Sequence, residues 1–137
     1  MRANYKIPRW VAVNVSNELY HYWDNKLLLK QIKQDIIDSS PDPADGTPKS
    51  NMVGDPTFSK AMKLQSRRIL IIEQKLDLID KALKLLSEDE RQLAEIIYKK
   101  RMNATTANTY EYITEDTYYN GRRKILWVVA NELGYVS

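Results

Sequence analysis

The sequence contains no cysteine and a single histidine, His21. The absence of cysteine excludes disulfides, thiolate metal sites and cysteine nucleophiles, and one histidine cannot form a multi-histidine metal site. No phosphate-binding loop, pair of catalytic acids or nucleophile–base motif is present either. We therefore expect a protein that is not an enzyme and that needs no metal or cofactor.

Long apolar runs are also missing. No stretch approaches the eighteen or so apolar residues that span a membrane, and the N-terminal MRANYKIPRW lacks the apolar core of a signal peptide. The sequence predicts a protein without a membrane partner, located in the cytoplasm.

Glycine and proline are scarce, with four and five copies in 137 residues. Neither occurs between Arg9 and Ser39, where apolar residues recur every three or four positions and predict one long amphipathic helix. Three prolines and two glycines fall within residues 39–55, which predicts a loop. Its acids, Asp42, Asp45 and Asp55, lack the alternating spacing of a calcium loop, so no metal site is expected there.

A second long helix is predicted to begin at Pro56, with Asp55 as its N-cap. It carries a heptad seam of alternating four- and three-residue steps from Phe58 to Leu86. A second apolar line repeats every seven residues on another face: Leu64, Ile71, Leu78 and Leu85. One stripe can pack against the first helix. The second stripe needs either the C-terminal helices or another copy of the chain, so core packing and a homodimer both remain open.

Three shorter helices are predicted after this pair. Ser87 and Glu90 form a capping box at the start of a helix that runs to about Arg101. A short helix spans about 105–110, and Thr114 caps a last helix from about Glu115 to Leu133, ended by Gly134. The predicted fold is all-α: a long antiparallel helical hairpin in residues 1–86, followed by a three-helix helix-turn-helix module in residues 87–137.

The basic residues are concentrated in the second part of the chain. Residues 1–55 carry seven basic and seven acidic residues, whereas residues 56–137 carry fourteen and eleven and hold the whole net charge of +3. A basic excess that is clustered favours a polyanionic partner. The clusters include Lys99, Lys100 and Arg101, and Arg122, Arg123 and Lys124.

The segment 104–133 has the pattern of a helix-turn-helix, in which the first turns of the second helix enter the major groove. The face opposite the apolar stripe of the last helix carries Thr117, Tyr119, Asn120, Arg123 and Lys124. Asn pairs with adenine, Arg with guanine, and hydroxyls with phosphates. Arg122 lies nearer the core and is expected to reach a phosphate. Gly121 either permits close approach to the DNA backbone or merely costs helix stability.

Three stretches, LSEDERQLAEIIYKKR, ITEDTYYNGRRKIL and VANELGY, resemble the C-terminal part of the RinA/ArpU family, whose members are phage- and prophage-encoded activators of late genes. The same half is similar to the promoter-reading domain at the end of sigma factors. The resemblance implies sequence-specific binding to double-stranded DNA, with host RNA polymerase as a partner. It assigns Thr114 as helix cap, Thr117 and Tyr119 as DNA-backbone contacts, and Asn120, Arg123 and Lys124 as groove-facing residues.

Two alternative functions remain open at this point. A small terminase subunit that recognises packaging sites also combines a helix-turn-helix with helical oligomerisation. A helical adaptor or anti-repressor would bind protein through the two apolar stripes of residues 58–86 and would not bind DNA.

Overall fold

All regular structure in the described parts of the chain is helical, which confirms the predicted all-α class. The computed structural model describes residues 5–39 and 56–136, with side chains for 5–38 and 65–136. Its helices are α1 (Arg9–Ser39), α2 (Pro56–Lys84), α3 (Glu88–Ala94), α4 (Ala104–Glu111) and α5 (Glu115–Leu133). The expected loop residues 40–55, including the acids tested against a calcium loop, lie outside the described residues.

Local capping explains where the third helix begins and ends. Glu90 N donates to Ser87 Oγ at 3.2 Å, and Ser87 N donates to Glu90 Oε1 at 2.9 Å, so the predicted capping box is present. The helix continues as a π-helical turn, Glu95–Lys99, and ends two residues before the expected Arg101. Arg101 has φ of +56°, a left-handed conformation that cannot continue a right-handed helix.

The last two helices are joined by three residues. Asn103 caps α4 by accepting from Thr106 N at 2.8 Å, and α4 ends at Tyr112, which is left-handed and 88% exposed. Thr114 Oγ1 accepts from Thr117 N at 3.2 Å and so caps α5, as predicted. Gly134, with φ of +86°, ends α5, also as predicted.

One apolar core joins α1, α2, α3 and α5. The predicted heptad seam of α2 faces this core, with Leu76, Ile79 and Leu86 buried. α1 contributes a buried face beginning at Val11, and α5 contributes Ile125 and Val129 with no exposed surface. The core therefore holds the first half of the chain against the segment that the sequence assigns to function.

Polar contacts between α1 and α2 are concentrated on one short part of α2. Glu18 pairs with Lys75 at 3.0 Å, Lys26 with Asp80 at 3.2 Å, and Lys33 with Glu73 at 2.6 Å. Tyr22 also donates a hydrogen bond to Asp80. These contacts spread over residues 18–33 of α1 but only over residues 73–80 of α2. They do not run steadily along both helices, so they do not fix the relative direction of α1 and α2, and the antiparallel hairpin stays a prediction.

None of the helices described is both long enough and apolar enough to cross a lipid bilayer.

Candidate functional site

The first half of α5 presents a polar face opposite its buried stripe. Asp116, Asn120 and Arg123 are exposed and follow i, i+4, i+7 spacing, which places them on one side of the helix. On the opposite side Tyr118 is buried, and its hydroxyl donates to the Met102 carbonyl at 2.8 Å. Burial raises the Tyr118 pKa, so this hydroxyl stays protonated and serves as a donor that fixes α5 on the loop before α4.

The polar face of α5 forms one wall of an open cleft of about 1460 Å³. The N-terminal turns of α3, the connection before α5 and the chain ahead of α1 form the other walls. The predicted residues Thr117, Asn120, Arg122, Arg123 and Lys124 all line it. The structure therefore brings five of the predicted side chains together at one place.

Two adjacent contacts hold α5 against α3. A Cβ at Gly121 would lie 2.1 Å from Leu93 Cδ2, far inside van der Waals contact. Three residues further along α5, Lys124 Nζ lies 2.8 Å from Glu90 Oε2, and Glu90 is three residues before Leu93. Gly121 therefore allows α5 to pack closely on α3. The sequence predicts a different role for this glycine, either close approach to the DNA backbone or a cost in helix stability.

Lys124 is engaged within the protein. Its hydrogen bond to Glu90 raises its pKa. Burial opposes ionisation of Glu90, but hydrogen bonds from Lys124 and from Ser87 outweigh that effect and lower the Glu90 pKa. Both groups are therefore charged near neutral pH. A ligand that recruited Lys124 would have to compete with the carboxylate that also caps α3.

Arg122 is half-buried and approaches the core, as expected. Its charge and the Ser16 hydroxyl act against the burial that raises the pKa of Tyr98. Tyr98 is almost completely buried in the π-helical turn. Arg122 therefore lines the cleft and also acts electrostatically on the Tyr98 hydroxyl.

Two predicted DNA-backbone contacts lie at different places. The Thr117 hydroxyl accepts from Thr114 Oγ1 at 2.8 Å at the start of α5, beside the polar face. Tyr119 is exposed but does not line the cleft, and its ring contacts Tyr118 at a centroid distance of 5.2 Å. Tyr119 is one residue, and so about 100°, from Asn120 around the helix.

The residues of the second predicted basic cluster, Lys99, Lys100 and Arg101, do not line the cleft themselves, although the partner of Lys100 does. Lys100 pairs with Glu111 at 3.1 Å. Arg101 pairs with Asp24 at 3.6 Å and lies over the Tyr20 ring. Lys99 is exposed and forms no ion pair with any described residue.

The second apolar stripe of α2 is covered unevenly. Ile71 and Leu78 line a small groove of about 270 Å³ together with Leu133 from α5. Leu85 follows α2 and is 65% exposed. The Leu64 side chain lies outside the described residues. The C-terminal helix therefore covers part of this stripe and leaves the end at Leu85 open.

Comparison with models of protein families, with curated proteins and with solved structures finds no match for this chain. Within residues 5–39 and 56–136, no group of three or more acidic or histidine side chains is placed to hold a metal ion.

Proposed function

We propose that this protein is a sequence-specific double-stranded DNA-binding regulator of transcription that reads DNA with the first half of α5. The observation that carries the proposal is the arrangement of residues 104–133. A short helix is followed by a three-residue connection and by a Thr-capped helix that exposes Asn120 and Arg123 on one face. This arrangement supports the assignment of a helix-turn-helix, whose second helix would enter the major groove.

Roles in the complex follow from the chemistry of each side chain. Arg123 forms no ion pair with any described residue, so its guanidinium is available to the two acceptors on a guanine edge. Asn120, one turn earlier, offers an amide that matches adenine. Lys99 supplies a phosphate contact, and Lys124 does so only after leaving Glu90.

The biological setting rests on the sequence resemblance. From this resemblance we propose that the protein activates phage or prophage late genes together with host RNA polymerase. The same DNA-binding module would serve a small terminase, which is the alternative within DNA-binding proteins.

We further propose that the helical first half makes a protein–protein contact, in the simplest case a homodimer. Exposed apolar side chains on and after α1 and α2 support this contact: Leu27, Ile37, Leu70, Ile71 and Leu85. A dimer would place two copies of α5 on two half-sites of one operator. An adaptor that binds only protein would use the same surface and would not retain duplex DNA.

The test is selection of bound duplexes from fragmented host and phage DNA at roughly 150 mM salt, where non-specific phosphate binding is weak. We expect one enriched intergenic sequence upstream of late genes. Arg123→Ala should weaken binding to that sequence by about 1–3 kcal/mol.

Arg68→Ala, which removes an exposed arginine of α2, is the matched control and should bind as the wild type does. Equal binding by the two variants would refute the assignment of α5. Enrichment at packaging sites without a promoter would favour the terminase function, and no enrichment at all would favour the adaptor.

A further inference from the structure

The chain ahead of α1 is held against the face of α5 that we propose reads DNA. The Tyr5 ring contacts the Trp127 ring edge-on at a centroid distance of 5.6 Å. Trp127 follows Arg123 by four residues and so continues the same side of α5. Ile7 packs against the core, and Lys6, between these two anchors, is exposed.

Lys6 extends the cleft beyond α5. Tyr5, Lys6 and Ile7 all line the cleft to which Asn120 and Arg123 also contribute. The alternation of half-buried, exposed and half-buried side chains is that of an extended segment with one face packed. Lys6 forms no ion pair with any residue that the structure describes.

The charges that line the cleft give Lys6 particular weight. Lys124 is neutralised by Glu90, and Glu111 by Lys100. The lining side chains that then remain without an ion pair among described residues are three cations, Lys6, Arg122 and Arg123, and two acids, Asp89 and Asp116. They carry an excess of one positive charge, to which Lys6 contributes. A cleft that binds a polyanion needs such an excess of positive charge.

We propose that residues 5–7 are a second DNA-binding element, in which Lys6 contacts a backbone phosphate beside the bases read by α5. The Tyr5–Trp127 contact sets where Lys6 lies relative to Arg123. This inference rests on the proposed function, because it assigns a further contact to the same DNA complex.

The experiment measures binding of the full chain to a fluorescently labelled random-sequence duplex between about 50 and 200 mM KCl. Lys6→Gln removes the charge with little change in size. We expect it to lower the slope of log Kd against log salt by about 0.9 and to weaken binding roughly five- to tenfold. Lys30→Gln, an exposed lysine of α1 outside the cleft, should keep the wild-type slope.

A second variant tests the positioning by Tyr5. Tyr5→Ala keeps the Lys6 charge but removes the ring that contacts Trp127, and it should weaken binding in the same direction by a smaller factor. Equal slopes for Lys6→Gln and Lys30→Gln would overturn the inference and leave the proposed function intact. Tighter binding by Lys6→Gln would also overturn it. Failure of the wild type to bind any duplex at low salt would refute both proposals.

Discussion

The contact between Gly121 and Leu93 makes a sharp prediction about the packing of α5 on α3. In an isolated helix, Gly121→Ala would stabilise the structure by about 1 kcal/mol, because alanine is the better helix former. Here the added Cβ would lie 2.1 Å from Leu93 Cδ2. Leu93 is 6% exposed and also lines the cleft, so its methyl can make room only if the Leu93 side chain leaves its rotamer. We expect that repacking to cost about 1–3 kcal/mol. We expect a net loss of about 1 kcal/mol in the free energy of unfolding.

The sign of the effect should reverse when Leu93 is shortened. Leu93→Val removes the clashing methyl, and Leu93→Ala removes more of the side chain at a cost of about 2–5 kcal/mol. In either background, Gly121→Ala should stabilise the protein by about 1 kcal/mol, because only the helix propensity remains. Leu93→Val keeps the cycle measurable if the larger truncation does not fold.

Urea unfolding followed by far-UV circular dichroism measures all four members of the double-mutant cycle. The expected coupling between the two positions is about 1–3 kcal/mol. A stabilising effect of Gly121→Ala in the wild-type background would refute the close approach of α5 to α3. An effect of the same sign and size in both backgrounds would also refute it, because the cost would then not come from Leu93.

Two further predictions concern charge and assembly. Glu90→Gln keeps an acceptor for the capping box but loses the ion pair to Lys124, so it should cost about 0.5–1 kcal/mol near neutral pH and tighten binding to random duplex DNA. The fold lowers the Glu90 pKa, so the difference in stability between the wild type and Glu90→Gln should be fully present above the ordinary carboxyl range. It should disappear as the pH falls through the lowered pKa. A difference in urea unfolding that does not change with pH would contradict this. Leu85→Lys changes an exposed side chain, so light scattering at high concentration should show the wild-type dimer become a monomer. Unfolding measured at concentrations where both proteins are monomeric should shift by less than about 0.5 kcal/mol. A monomeric wild type, or a variant that stays dimeric, would refute the dimer contact.

The helix boundaries could be predicted because the signals that set them are local. Ser87, Thr114 and Gly134 act on backbone groups within a few residues, and their positions in the sequence specify the ends of α3 and α5. The third helix with its π-helical turn ends at Lys99, two residues before the predicted Arg101, because neither the π-helical turn nor the left-handed conformation of Arg101 has a signal in the sequence pattern.

The site could be predicted only in part, since its contacts join residues far apart in sequence. Helical spacing alone places Asn120 and Arg123 on one face, and it would also have placed Asp116 there. It cannot show that Lys124 is paired with Glu90, thirty-four residues earlier. The position of Tyr5 on Trp127 likewise has no signal in the local pattern.

These long-range contacts also decide which charges can reach DNA. On α5, Lys124 is bound by Glu90, and Arg122 approaches Tyr98, so Arg123 is the one member of the RRK run that is both exposed and without an ion pair among described residues. Since Leu93 fixes Gly121 and Glu90 fixes Lys124, the orientation of Arg123 depends on the packing of α3. The weak net charge of the cleft then means that duplex binding should depend strongly on a few cations, Arg123 and Lys6 above all, rather than on a broad basic surface.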